Sequence, residues 1–134
     1  VLRAYAAVAN GGKLLMPRLN SAAPVQYKAL NVDRGIIRIL RAGLLEVTTS
    51  GTGRKSNNFG VNVAGKTGTA QNTQGDDHAW FAGYAPAEKP RYAVVAIAEA
   101  GKAGSSVTGP IVGKMLNYLV NGEKFAEPKT ESKQ

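Results

Sequence analysis

The short link between two strand-forming runs constrains this chain more than any other feature. Ala79-Trp80-Phe81-Ala82-Gly83-Tyr84-Ala85 and Arg91-Tyr92-Ala93-Val94-Val95-Ala96-Ile97-Ala98 are joined only by Pro86-Ala87-Glu88-Lys89-Pro90. Parallel neighbours need a crossover of about a dozen residues or more, so these two strands must pair antiparallel. A third run, 61–70, alternates Val61-Asn62-Val63 before it enters a glycine-containing stretch, and a turn-rich segment follows it. Three consecutive strands with such connections predict an antiparallel meander and argue against a parallel sheet.

Helices flank this core. Residues 1–9, alanine-rich and helix-favouring, begin without a cap or polar lead-in, so the helix is expected to be cut and the chain to be part of a larger domain. Asn10-Gly11-Gly12 supplies a stop, and a loop through Pro17 follows. Residues 24–30 alternate weakly and predict a short edge strand. Asp33 is placed to cap a helix of about 14 residues whose Ile36, Ile37, Leu40, Leu44 and Val47 form a core face at a period of about 3.6.

Ser50-Gly51-Thr52-Gly53 ends that helix, and the polar run to Gly60 reads as a mobile surface loop. The last helix starts at Thr108 to Pro110 and presents Ile111, Val112, Met115, Leu116, Leu119 and Val120 as one broad apolar stripe. Asn121-Gly122 closes it, which sets residues 1–122 as the folded part and the charged run 123–134 as a disordered tail. The fold class is therefore α/β of the α+β type, an antiparallel sheet covered by helices.

Composition narrows the chemistry. The absence of cysteine from the 134 residues removes thiolate catalysis, iron–sulfur clusters and cysteine zinc sites. A net charge of +8 favours anionic partners. Its densest cluster, Arg34, Arg38 and Arg41 with Arg54 and Lys55, has no interleaved aromatics and reads as a solvated helix face, with no nucleic-acid partner. No run approaches the roughly 18 apolar residues of a membrane span.

The chemistry-bearing string is Gly65-Lys66-Thr67-Gly68-Thr69-Ala70. With Gly60 it satisfies the Walker A pattern through Thr67, which would make a nucleotide-binding module. A phosphate loop, however, must leave a strand and open a helix. Here polar loop precedes Gly60, while Gly68, Gly75 and Asp76-Asp77 follow Thr67. Read instead as Lys-Thr-Gly on a strand, the string offers an ammonium and two hydroxyls for a carboxylate, strand N–H groups that can polarise a carbonyl, and a glycine that admits another backbone. That set suits acyl transfer on an extended peptide.

The Lys-Thr-Gly string, the strand Asp77-His78-Ala79-Trp80-Phe81-Ala82-Gly83-Tyr84-Ala85-Pro86, the helix start Gly109-Pro110-Ile111-Val112-Gly113 and the opening Arg3-Ala4-Tyr5-Ala6-Ala7-Val8-Ala9-Asn10-Gly11-Gly12 together resemble class B penicillin-binding proteins. Among these they are most similar to the elongation-type penicillin-binding protein 2. The likeness covers nearly everything except the tail and implies an incomplete transpeptidase domain of the serine β-lactamase-like fold.

It further implies a serine-type peptidoglycan D,D-transpeptidase that needs no cofactor or metal and binds stem peptides, with β-lactams as inhibitors. On the same likeness Lys66 links to the serine of the middle motif, while Thr67 and Thr69 bind the substrate carboxylate. Gly68 gives access, and the Thr69 N–H forms half of an oxyanion hole. The implied protein is anchored in the cytoplasmic membrane through a segment outside this chain, acts on the extracytoplasmic or periplasmic side, and works with an elongation-complex glycosyltransferase.

The family's nucleophile lies in Ser-x-x-Lys, and no such tetrapeptide occurs here. An upstream segment carrying Ser-x-x-Lys and Ser-x-Asn must supply it, and this chain alone is expected to be inactive. Ser56-Asn57-Asn58 spells Ser-x-Asn but stands too near Lys66 for the family's middle motif and reads as loop. A degenerate, non-catalytic penicillin-binding scaffold is the remaining alternative. His78, beside Asp76 and Asp77, has no common zinc spacing and reads as the mouth of a hairpin. Trp80 and Phe81 point to opposite sheet faces, and both are expected in core.

Overall fold

The computed structural model describes residues 1–73, 75–101 and 106–122. Helix α1 spans Leu2–Ala9, strands β1 and β2 span Lys13–Leu15 and Tyr27–Ala29, and helix α2 spans Arg34–Thr49. A 3-10 helix, Arg54–Asn57, precedes strands β3 (Ala64–Ala70), β4 (His78–Ala85) and β5 (Tyr92–Ala98), and helix α3 spans Thr108–Asn121. The expected tail, 123–134, lies outside the described residues.

The meander forms as predicted, in the order β3-β4-β5 with both pairs antiparallel. Its short link is held from three sides. Arg91 N–H donates to the Ala85 carbonyl at 3.0 Å, Ala87 N–H to the Asn62 carbonyl at 2.8 Å, and the Arg41 guanidinium to the Ala87 carbonyl at 3.1 Å.

Strand alternation then fixes two layers. Phe81, Ala85 and Val94 face α3 and pack with Val63, Val112 and Leu116. On the other face Ala64 and Tyr84 meet Ala9 of α1, with Leu44 and Leu45 of α2 packed against them. Phe81 is wholly buried, whereas Trp80, on the opposite face, is half-buried, so only one of the two aromatics is core.

Local signals explain the helix ends. Asp33 caps α2 through its carboxylate, which accepts from the Gly35 N–H at 2.6 Å and the Ile36 N–H at 3.3 Å. Gly11 and Gly12 take φ of 82° and 100° after α1, conformations in which a Cβ would be strained. The segment after that turn is not all loop. Lys13–Leu15 forms β1 and pairs antiparallel with β2, and Leu30 N–H also closes on the Gly12 carbonyl at 2.8 Å. An isolated three-residue strand carries too little periodicity to show in sequence.

Three expectations are corrected. The core face of α2 is Ile37, Leu44, Leu45 and Thr48, while Ile36, Ile39 and Leu40 are exposed. Arg41 belongs to that inner face and is not part of a solvated arginine stripe, because its guanidinium satisfies carbonyls of the β4–β5 link. The buried stripe of α3 is Thr108, Gly109, Val112, Gly113, Leu116 and Asn117, whereas Ile111, Met115 and Leu119 are exposed.

The run to Gly60 is not a mobile loop either. Ser56 and Phe59 are buried against α3, and Lys114 lies 5.6 Å from the Phe59 ring centroid.

Candidate active site

The Lys66 to Thr69 string lies on β3, which among the described residues pairs only with β4 and so forms the outer edge of the three-stranded sheet. Two observations show which backbone groups face that open edge. Gly65 and Gly83 are register partners, and a Cβ on Gly65 would stand only 2.9 Å from the Gly83 Cα, the close approach of a pair that exchanges no hydrogen bonds. The Thr67 carbonyl accepts instead from the Lys66 ammonium at 2.8 Å. Since antiparallel partners alternate, Gly65, Thr67 and Thr69 turn their N–H and C=O groups away from β4.

Side-chain alternation places Lys66 and Gly68 on one face with Trp80, and Thr67 and Thr69 on the other with Phe81 and Ala79. Lys66 and Thr69 are exposed, Thr67 and Gly68 half-buried. The four residues of the string therefore converge on one edge. Lys66 wraps across it, its Nζ reaching the Thr67 Oγ1 at 3.3 Å as well as the carbonyl.

The start of β3 is held rigidly. The Thr48 hydroxyl, buried at the end of α2, donates to the Val63 carbonyl, and the Val63 N–H donates to the Asn57 side-chain oxygen at 2.6 Å. Asn57 also donates to the Thr48 carbonyl at 3.0 Å, and the Ser56 hydroxyl donates to the Gly53 carbonyl at 2.8 Å. Ser56 and Asn57 thus anchor the scaffold.

One residue of the site escapes a reading of the sequence. The Thr52 hydroxyl lies 2.9 Å from the Thr67 hydroxyl. Its only advance signal is its place between Gly51 and Gly53. A Cβ on Gly51 would come within 2.9 Å of Val47 backbone, so the glycines let the chain double back over the last turn of α2 and present Thr52 to β3.

The Walker A alternative loses its footing here. The Walker-like segment enters β3 with Val61 and Val63 buried in the core and continues as strand to Ala70, so Thr67 opens no helix whose N–H groups could cradle a phosphate. His78 opens β4 and accepts the Ala100 N–H on Nδ1 at 3.2 Å, and among the described residues no cluster of ligands could hold a metal. Nor is any described helix long and apolar enough to cross a membrane.

An antiparallel sheet between helices, with Lys-Thr-Gly on an open edge strand, is the arrangement of the penicillin-binding transpeptidase fold. Comparison with known proteins gives the same assignment. The family model of the penicillin-binding protein transpeptidase domain matches residues 1–117, and the chain belongs to that family.

It is 33% identical over 141 aligned residues to the peptidoglycan D,D-transpeptidase MrdA of Haemophilus influenzae, an alignment covering 90% of this chain and 20% of that protein. Among solved structures it superposes on penicillin-binding protein PBP2 of Helicobacter pylori, in complex with MreC, with a TM-score of 0.75 at 31% identity, over 88% of this chain and 23% of that one. Penicillin-binding protein A of Mycobacterium tuberculosis, captured as a ceftriaxone acyl-enzyme, matches with a TM-score of 0.74 at 26% identity, over 84% and 29% of the two chains.

Proposed function

We propose that this chain supplies the substrate-binding edge strand of a peptidoglycan D,D-transpeptidase. The observation that carries the reading is the placement of Lys66, Thr67, Gly68 and Thr69 on a strand edge that no other described strand pairs with. In the reaction, a serine on a segment outside this chain attacks the D-Ala-D-Ala carbonyl. The bond to the terminal D-Ala breaks, the D-Ala amine leaves with a proton, and an ester-linked acyl-enzyme remains. The amine of a neighbouring stem then displaces the serine, which regains its proton.

Each residue has a part in this scheme. Thr67 and Thr69 hydroxyls bind the terminal carboxylate, and the outward Thr69 N–H polarises the reacting carbonyl as one of two oxyanion donors. Lys66 puts a positive charge beside the carboxylate and the serine of the middle motif. Gly68 leaves the edge clear for the extended peptide. β-Lactams enter the same site as acylating mimics, which the ceftriaxone acyl-enzyme of the Mycobacterium tuberculosis relative supports. An extracytoplasmic location and work beside an elongation-complex glycosyltransferase follow from the family likeness, and a scaffold of the MreC kind from the Helicobacter pylori complex.

Fluorescent penicillin tests the scheme. A protein joining this chain to a segment with Ser-x-x-Lys and Ser-x-Asn should be labelled covalently, and Lys66→Ala should slow labelling by about 100-fold or more, the scale of losing one preorganised transition-state donor. This chain alone should take no label, since no serine in it is followed three residues later by the lysine that would activate it. Label on the isolated chain, or labelling indifferent to Lys66→Ala, refutes the proposal.

A further inference from the structure

We infer that Thr52 is a positioning residue that sets the direction of the Thr67 hydroxyl for an anionic substrate end. The inference rests on the acyl-transfer reading above but concerns a residue outside the Lys-Thr-Gly strand.

A threonine hydroxyl carries one hydrogen and can accept two. The Thr67 Oγ1 has Lys66 Nζ at 3.3 Å, and an ammonium can only donate, so one acceptor position is taken. Thr52 Oγ1 lies 2.9 Å away, and in the empty site either hydroxyl can be the donor. If Thr67 donates to Thr52, its hydrogen is lost to a substrate. If Thr52 donates, both acceptor positions on Thr67 are filled and its single hydrogen must point elsewhere.

A bound carboxylate selects the second arrangement, because it accepts only. The result is a polarised relay in which Thr52 donates to Thr67 and Thr67 donates to the anion, each bond strengthening the next. The proton of each hydroxyl stays on its own oxygen throughout. Thr52 can hold this post because the chain around it is anchored. Gly51 N–H donates to the Glu46 carbonyl at 3.1 Å and Gly53 N–H to the Val47 carbonyl at 2.9 Å, folding the segment onto the end of α2.

Thr52 itself is exposed and packs no core, so removing its hydroxyl should not unfold the protein. The experiment uses the protein that carries this chain together with its Ser-x-x-Lys segment, and a fluorescent penicillin as probe. Thr52→Val keeps the branched shape and removes the hydroxyl. It should raise the dissociation constant of the non-covalent penicillin complex about 3- to 10-fold, the range of one lost hydrogen bond. The first-order acylation step should change by less than about twofold, and the melting temperature should not move. Thr52→Ser should restore binding.

Wild-type affinity in Thr52→Val overturns the inference, as does a Thr52→Ser variant no better than valine, which would assign the loss to packing. A loss that follows a fall in melting temperature overturns it too. Wild-type protein that takes no label sinks the acyl-transfer reading itself and the relay with it, whereas labelled wild type with an indifferent Thr52→Val sinks only the relay.

Discussion

Gly113→Ala is the sharpest probe of how α3 seats the site. A Cβ at this position would overlap the Ser56 carbonyl oxygen well inside van der Waals contact and stand 2.7 Å from the Phe59 ring and 2.9 Å from the Ser56 carbonyl carbon. The ring can turn, but the carbonyl cannot. It belongs to the 3-10 helix that Gly53, Asn57 and Thr48 hold in place, so α3 must lift from it. Overpacking of this kind costs about 1–3 kcal/mol, and a backbone obstacle puts it at the upper end. The alanine also gains about 0.5–1 kcal/mol of helix propensity, leaving a net loss of about 2 kcal/mol.

Gly43→Ala isolates the propensity term, because Gly43 also lies inside a helix but a Cβ there meets nothing within 4 Å. Hydrogen exchange resolved to peptides across residues 108–121 reads the difference locally, even inside a larger protein. About 2 kcal/mol corresponds to roughly 30-fold faster exchange in Gly113→Ala. Gly43→Ala should leave α3 unchanged and slow exchange in α2. Exchange in α3 of Gly113→Ala at or below the wild-type rate would refute the packing of α3 on the 3-10 helix.

Asp33→Ala removes a cap that satisfies two N–H groups and should destabilise α2 by about 1 kcal/mol, seen as faster exchange in its first turn. Gly68→Ala should leave thermal stability unchanged, since its Cβ would meet only the Trp80 Cβ at 3.4 Å, yet slow penicillin acylation. Burial pushes the Tyr84 hydroxyl above its usual value, with the neighbouring Arg41 guanidinium offsetting part of that. A raised folded value means the folded state holds the proton more tightly. The contribution is intact below the unfolded value of about 10 and is lost as pH climbs past it towards the folded value. Tyr84→Phe should flatten that part of the alkaline loss in a pH series of melting temperatures.

Features that depend on neighbours in sequence were legible before the fold was known. The Pro86 to Pro90 link forces antiparallel pairing, Asp33 caps α2, and Gly122 ends α3 at φ 82°. Features set by what lies opposite were not. Apolar residues cover a wide arc of α2, so its periodicity fits more than one buried stripe. The stripe that is buried includes Thr48 and Arg41, polar residues that earn their place by meeting the Val63 carbonyl and the carbonyls of the β4–β5 link. The run from Arg54 to Gly60 misled for the same reason, since the Asn57 side chain finds partners on buried Thr48 and Val63, 9 and 6 positions away. Thr52 is a case of its own, invisible until β3 is folded beside it.

The two glycines that bracket Lys66-Thr67 separate the demands of the fold from those of the chemistry. Gly65 is structural. A Cβ there would lie 2.6 Å from the Ala82 carbonyl oxygen and 2.8 Å from the Phe81 ring, which also crosses Gly83, so the strands approach closely beneath an aromatic that α3 covers. Gly68 meets no such obstacle, and its φ is not in the left-handed range. Among the described residues nothing asks for a glycine at that position, which agrees with the proposal that a substrate backbone comes to the open edge. The same strand is thus fixed to the core at Gly65 and unobstructed at Gly68, and Lys66 and Thr67 lie between the two, where the proposed substrate would meet the scaffold.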